Sequence, residues 1–221
     1  MRSCLLVQPG VKGYDTGLAL QQKARALVAA GGCDGVLILL EHHPVITIGR
    51  RGGAGNLLAD PAWLTRRGVD VVHTDRGGDI TCHNPGQLVG YPVFNLARWR
   101  QDVHWYVRSL EEAIIRTLAG YGLAAGRKPQ YTGVWLEDEK VAAIGVSVRR
   151  WITGHGFALN IENDLNLFSA IVPCGIRDFG VTSLRRAGVA APLPEVAVAL
   201  AAQIAAVFAC TLIQPKEVSG R

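Results

Sequence analysis

Long apolar runs are missing from this 221-residue chain, although 49% of it is hydrophobic. The longest candidate, residues 36–40, is only long enough for a strand. A membrane-spanning helix would need about 20 consecutive apolar residues. Gln8 and Pro9 interrupt the N-terminal apolar stretch too early for a signal peptide. The expectation is a soluble, cytoplasmic protein with no membrane partner. Charge is also scarce, at 19%, and lysine scarcer: 5 of the 23 basic residues are Lys and 18 are Arg. No basic helix and no aromatic platform appear, and aromatics make up 7% of the chain, which argues against a nucleic-acid-binding module. No two cysteines stand in CxxC spacing, so a structural zinc is unsupported and no metal site is expected. The five cysteines are odd in number and no export signal accompanies them, which makes free thiols the default.

What is present is ample apolar residue for one core, 26 glycines and a net charge of +5. That charge suits an acidic partner. No internal repeat or low-complexity linker divides the chain, so one catalytic domain over residues 1–221 is expected. Residues 15–30 carry helical periodicity, with Leu18, Ala24, Leu27 and Val28 near one face and Gly31-Gly32 ending the run. Residues 35–41 and 45–48 read as strands. Asp60-Pro61 reads as an N-cap with proline in the first turn of a short helix reaching about Gly68. Residues 69–74, 80–83 and 88–96 are strand-like, with Asn84-Pro85-Gly86 as a turn. Residues 103–123 form the longest helical pattern. Residues 133–137, 141–149 and 156–161 are β-rich, 165–182 is irregular, and 193–208 is an Ala-rich helix, with Cys210 expected to end it. Strands come in groups between isolated helices, without regular βαβ alternation. The fold class is therefore α/β of an α+β-like kind, a mixed β-sheet flanked by helices.

Four segments carry candidate chemistry. The first runs Arg76-Gly77-Gly78-Asp79-Ile80-Thr81-Cys82-His83-Asn84-Pro85-Gly86-Gln87. Its glycines permit close backbone approach to a ligand, although a plain hairpin would also use them. Strand alternation turns Cys82 away from Thr81 and His83. The second is Lys140-Val141-Ala142-Ala143-Ile144-Gly145. Lysine can lose its proton when desolvated and arginine cannot, so a Lys opening an apolar strand in an Arg-rich chain has a chemical reading beside that of a snorkelling strand end. The third is His155-Gly156-Phe157-Ala158-Leu159-Asn160, where a structural role for His155 is the simpler reading. The fourth is Pro173-Cys174-Gly175. Its Cys sits on a bend outside regular structure and becomes a nucleophile if a nearby cation lowers its pKa from ~8.5.

Together these segments resemble the lipoyl(octanoyl) transferase family, also called octanoyl-[acyl-carrier-protein]:protein N-octanoyltransferases. The resemblance spans about residues 35–184. It rests on Arg76-Gly77-Gly78, His83, Pro85-Gly86-Gln87, Tyr91-Pro92, Lys140, Ala143-Ile144-Gly145, His155-Gly156, Ala158-Leu159-Asn160 and Pro173-Cys174-Gly175. Two positions depart from it: Asn84 stands for the usual Gly, and Cys82 for an aromatic residue. Asn tolerates left-handed backbone, so the turn survives, while Cys82 changes a wall of the acyl pocket.

The resemblance implies the biotin/lipoate protein ligase fold and no cofactor. It implies Cys174 as nucleophile, taking octanoyl from acyl carrier protein as a thioester. The acyl group then passes to a lysine of a lipoyl domain, on 2-oxo acid dehydrogenase subunits or the glycine-cleavage H protein. Lys140 would be the proton-handling partner. Arg76, Gly77, Gly78, Asp79, Ile80, Thr81, Cys82, His83, Ala143, Ile144, Gly145, Gly156, Phe157 and Ala158 would line the acyl site, with His155 in support. The rivals are an ATP-dependent lipoate ligase of the same fold, which needs no nucleophilic Cys, and a cysteine hydrolase, which has no use for Lys140.

Overall fold

The structure is a computed structural model that describes residues 2–172 and 179–214. Its strands and helices run in the order β1 (Arg2–Lys12), α1 (Tyr14–Ala29), β2 (Gly35–His42), β3 (Val45–Ile48), α2 (Pro61–Arg66), β4 (Asp70–His73), β5 (Ile80–His83), β6 (Gln87–Phe94), α3 (Val103–Gly120), β7 (Ala125–Lys128), β8 (Tyr131–Leu136), β9 (Glu139–Arg149), β10 (Ile152–Asn160), β11 (Gly180–Val181), α4 (Leu193–Phe208) and β12 (Cys210–Ile213). Among the described residues, the large sheet runs β12-β1-β2-β6-β10-β9-β8-β7, with β11 against β9. A small sheet has the order β4-β3-β5. Both sheets mix parallel and antiparallel pairs. This is the mixed, helix-flanked sheet that the grouped strands imply.

Side-chain alternation on β2 shows how the layers form. Leu37 and Leu39 point into a core shared with α3 and α4, alongside Leu110, Ile114, Leu200 and Phe208. Val36, Ile38 and Leu40 point to the other face, against Ala24 and Val28 of α1. The strand reads as a continuous apolar run because both of its faces are covered. A third cluster, containing Ile46, Ile48, Leu64, Ile80 and Cys82, fills the small sheet.

Several boundaries differ from the sequence reading. The buried stripe of α1 is Tyr14, Gly17, Gln21, Ala24 and Val28, and Leu27 is exposed. Gln21 faces inward because its side-chain oxygen accepts the His155 backbone N–H at 2.7 Å, a tertiary contact that periodicity of apolar residues does not register. Helix α4 ends at Phe208, with Ala209 left-handed, and Cys210 opens β12. Strands β7 and β12 are the short edges of the large sheet and carry little apolar pattern. Within the irregular stretch, residues 165–170 form a 3-10 turn and Gly180–Val181 pairs with β9. The α2 cap is as expected: the Asp60 carboxylate accepts from Trp63 N at 2.8 Å.

Candidate active site

A cavity lies between the α1 face of the large sheet and the small sheet. Its lining includes Tyr14 from α1, Val89 and Tyr91 from β6, Ala143, Ile144 and Gly145 from β9, Gly156, Phe157 and Ala158 from β10, and Arg76, Gly78, Thr81, His83 and His155. A second, smaller hollow shares Thr81, Ala143 and Ala158 with it and reaches Lys140, Gln87 and Asn160. The glycine-rich loop approaches β9 closely: Gly77 N donates to Val146 O at 2.8 Å. A Cβ on Gly145 would stand 2.7 Å from Gly77 O, so only glycine permits this contact.

Alternation on β5 divides the first segment. Thr81 and His83 line the cavity, whereas Ile80 and Cys82 are fully buried in the core of the small sheet. Neither Ile80 nor Cys82 lines the cavity, and burial raises the Cys82 thiol pKa well above its ordinary value. The expected effect of Cys82 on an acyl-pocket wall is therefore corrected to a packing role. Asp79 also stands apart from the lining, with its carboxylate taking a hydrogen bond from Asn56 Nδ2. Arg76 lines the cavity and acts as a strut. Its guanidinium donates to Thr47 O at 2.6 Å, to Thr47 Oγ1 at 2.9 and 3.1 Å and to Gly77 O at 3.1 Å. The left-handed residue of the turn is Gly86, at φ 88°. Asn84 is not left-handed: its side chain donates to Asp164 O at 2.8 Å and accepts from Asn163 Nδ2 at 3.1 Å.

Burial disfavours the charged form of the histidines around the cavity. His83 is pushed down to about 3, chiefly by burial. His42 and His155 are also lowered by burial, which for His155 outweighs the 2.6 Å contact from Nε2 to the Asp75 carboxylate. The Gln87 amide fixes the tautomer of His83. Gln87 Nε2 donates to Asn160 Oδ1 at 2.8 Å, so its oxygen accepts from His83 Nδ1–H at 2.7 Å. Asn160 Nδ2 donates onward to Thr182 O at 2.9 Å, and Thr182 N to Lys140 O at 3.0 Å. Buried polar side chains thus tie His83 to the backbone of Lys140. Apart from the Arg76 guanidinium, which is tied to Thr47 and Gly77, the cavity has largely apolar walls from Val89, Ala143, Ile144, Phe157 and Ala158, suited to an aliphatic chain.

Lys140 reaches this site through a β-bulge. The register of β8 against β9 shifts between Val134↔Ala142 and Trp135↔Lys140. Val141 and Ala142 both enter the helix-side core, and Lys140 and Ala143 both border the cavity side. Strict alternation from Ala143 would instead have turned Lys140 to the helices. The side chain is 7% exposed, and its stem runs beside Gly133. Cys174 lies outside the described residues.

The sequence reading missed Tyr14, Thr47, Asp75 and Trp135. The first three support their partners from distant parts of the chain, and no local spacing announces them. Among the described residues, no group of three His, Cys, Asp or Glu side chains could hold a metal ion. No described helix is long and apolar enough to cross a membrane.

The architecture is that of the lipoate protein ligases. A solved bipartite lipoate protein ligase from Thermoplasma acidophilum, studied with its E2 lipoyl domain, superposes with a TM-score of 0.78 at 19% identity, covering 98% of this chain and 89% of that one. A lipoate-protein ligase A bound with ATP gives 0.77 at 18%, covering 98% and 90%. The chain belongs to the lipoyl protein ligase A/B catalytic domain family, whose description matches residues 13–205. Among its relatives, the octanoyltransferase of Clostridium kluyveri is 51% identical over 185 residues, 83% of this chain and 79% of that one. That of Solibacter usitatus is 49% identical over 208 residues, 94% of each chain.

Proposed function

We propose that the protein is an octanoyltransferase of protein lipoylation. It takes octanoyl from acyl carrier protein onto Cys174 and delivers it to a lysine of a lipoyl domain. The observation that carries the reading is the placement of Lys140, turned by a bulge from an apolar core to the end of a cavity lined by small residues. Relatives at about half identity over most of the chain are octanoyltransferases, which favours transfer over ATP-dependent ligation. Acceptors would be lipoyl domains of 2-oxo acid dehydrogenase subunits and the glycine-cleavage H protein. Free cysteines and the +5 charge suit a reducing cytoplasm and acidic carrier domains.

In the first half-reaction the Cys174 thiolate attacks the donor thioester, the donor C–S bond breaks, and the carrier leaves as its thiolate. Thioester exchange is nearly balanced, so ATP is not needed. In the second, the acceptor amine attacks the acyl-enzyme, the C–S bond breaks, and amide formation drives the cycle. Lys140 as an ammonium stabilises the thiolate, and as a neutral amine accepts the proton shed by the attacking lysine. Burying the octanoyl chain contributes about 0.8 kcal/mol per methylene. Lys140→Arg keeps the first role and loses the second. The variant is expected to take up octanoyl and pass it on at least ~100-fold more slowly, the scale of general-base catalysis. Wild-type discharge by Lys140→Arg overturns the base role.

A further inference from the structure

We propose that Trp135 is a positioning residue that holds the Lys140 ammonium at the end of the acyl cavity. The bulge that turns Lys140 also sets Trp135 directly opposite it across the β8–β9 ladder. Val134 and Leu136 pack toward the helices, which leaves Trp135 on the side of Lys140. Lys140 Nζ lies 4.8 Å from the centroid of the Trp135 ring, within the range at which an indole face attracts a cation. The ring is 2% exposed, so water screens this attraction little.

The ring is itself held. Phe179 stands edge-on to it at 5.4 Å and Tyr131 is tilted against it at 6.1 Å. Lys128 Nζ sits 4.4 Å from Phe179 and 5.5 Å from Trp135, and donates to the Asp138 carboxylate at 2.7 Å. Two of the chain's five lysines therefore share one indole in an Arg-rich protein. Under the Lys140 stem, Gly133 is fixed by its N–H donating to the buried Glu111 carboxylate at 3.0 Å, and Arg108 and Arg127 pair with that carboxylate. Among the described residues, the charged groups around Lys140 are thus Lys128 on β7, the Lys128-paired Asp138, the Glu111 cluster behind Gly133, and Glu139, which pairs with Arg186 at 3.3 Å. Trp135 supplies attraction without a second charge.

The proposal rests on the reading of Lys140 as the base of the second half-reaction, and the test separates the two. The rate at which preformed octanoyl-enzyme is discharged by an apo lipoyl domain is measured against pH for the wild type, Trp135→Phe and Trp135→Leu. Loss of the indole moves the ascending limb to lower pH, by about 0.5–1.5 units in Trp135→Leu and less in Trp135→Phe. A purely structural role lowers the plateau and leaves the limb in place, and that result overturns the proposal. If Trp135→Leu does not fold, the limb of Trp135→Phe decides alone, and an unmoved limb again overturns it. If Lys140→Arg discharges as fast as the wild type, the reading of Lys140 falls, whatever the Trp135 variants do.

Discussion

His83, His42 and His155 define the residue scale of this site. Each is buried, and burial lowers the pKa of each. In the unfolded chain a histidine binds its proton near pH ~6.5. Below that pH the unfolded state holds more protons than the folded state, so stability rises with pH and falls as pH drops. For His83 the loss approaches ~1.4 kcal/mol per pH unit, and His42 and His155 add to it in the same direction. For His83 it continues toward its folded value of about 3. The melting temperature is therefore expected to fall steadily from pH 7.5 to 5, and His83→Asn should flatten that slope even if it lowers the plateau. A pH-independent melting temperature over this range contradicts the account. The sequence shows that these histidines stand beside glycines and strands. It does not show their burial or their hydrogen-bond partners, because Gln87, Asn160 and Tyr91 come into place only once β6 and β10 are paired.

At the scale of the element, the bulge in β9 matters most. Strand β9 is legible from its run of small apolar residues, and Lys140 stands out because lysine is rare. The face that Lys140 takes is not legible, since one residue of slip moves a side chain to the other side of the sheet. Gly133 makes the chosen face possible. Its φ of 133° is unfavourable for side-chain-bearing residues, and a Cβ there would lie 2.7 Å from Ala142 O and 3.3 Å from Lys140 Cε. Gly133→Ala should destabilise the protein by about 1–3 kcal/mol and displace the Lys140 stem. Denaturant unfolding reads the first effect, and discharge kinetics above the Lys140 limb read the second. Wild-type stability together with wild-type discharge would show that the stem has slack. The edge strands β7 and β12 were hidden for another reason: only one neighbour covers each, so neither needs a strong apolar pattern.

At the scale of the whole molecule, two sheets of mixed direction meet along one cavity. The large sheet supplies small side chains from β9 and β10, and the small sheet supplies Thr81 and His83. Alternation predicts this division on β5, where Cys82 turns away from the cavity. The Arg76 loop joins the sheets by donating to Thr47 on β3 and by pairing Gly77 with β9. That link spans segments far apart in sequence, so Arg76-Gly77-Gly78 was legible as acyl-site lining and not as a strut between the sheets. On the proposed reading, this assembly carries octanoyl as a thioester on Cys174 between two carrier proteins. Intact-mass measurement after incubation with octanoyl-acyl carrier protein, without ATP, tests it most directly. The account predicts a gain of one octanoyl group, located on Cys174 and discharged when an apo lipoyl domain is added. An unchanged enzyme mass with transfer only in the presence of ATP, or a label on another residue, would contradict it.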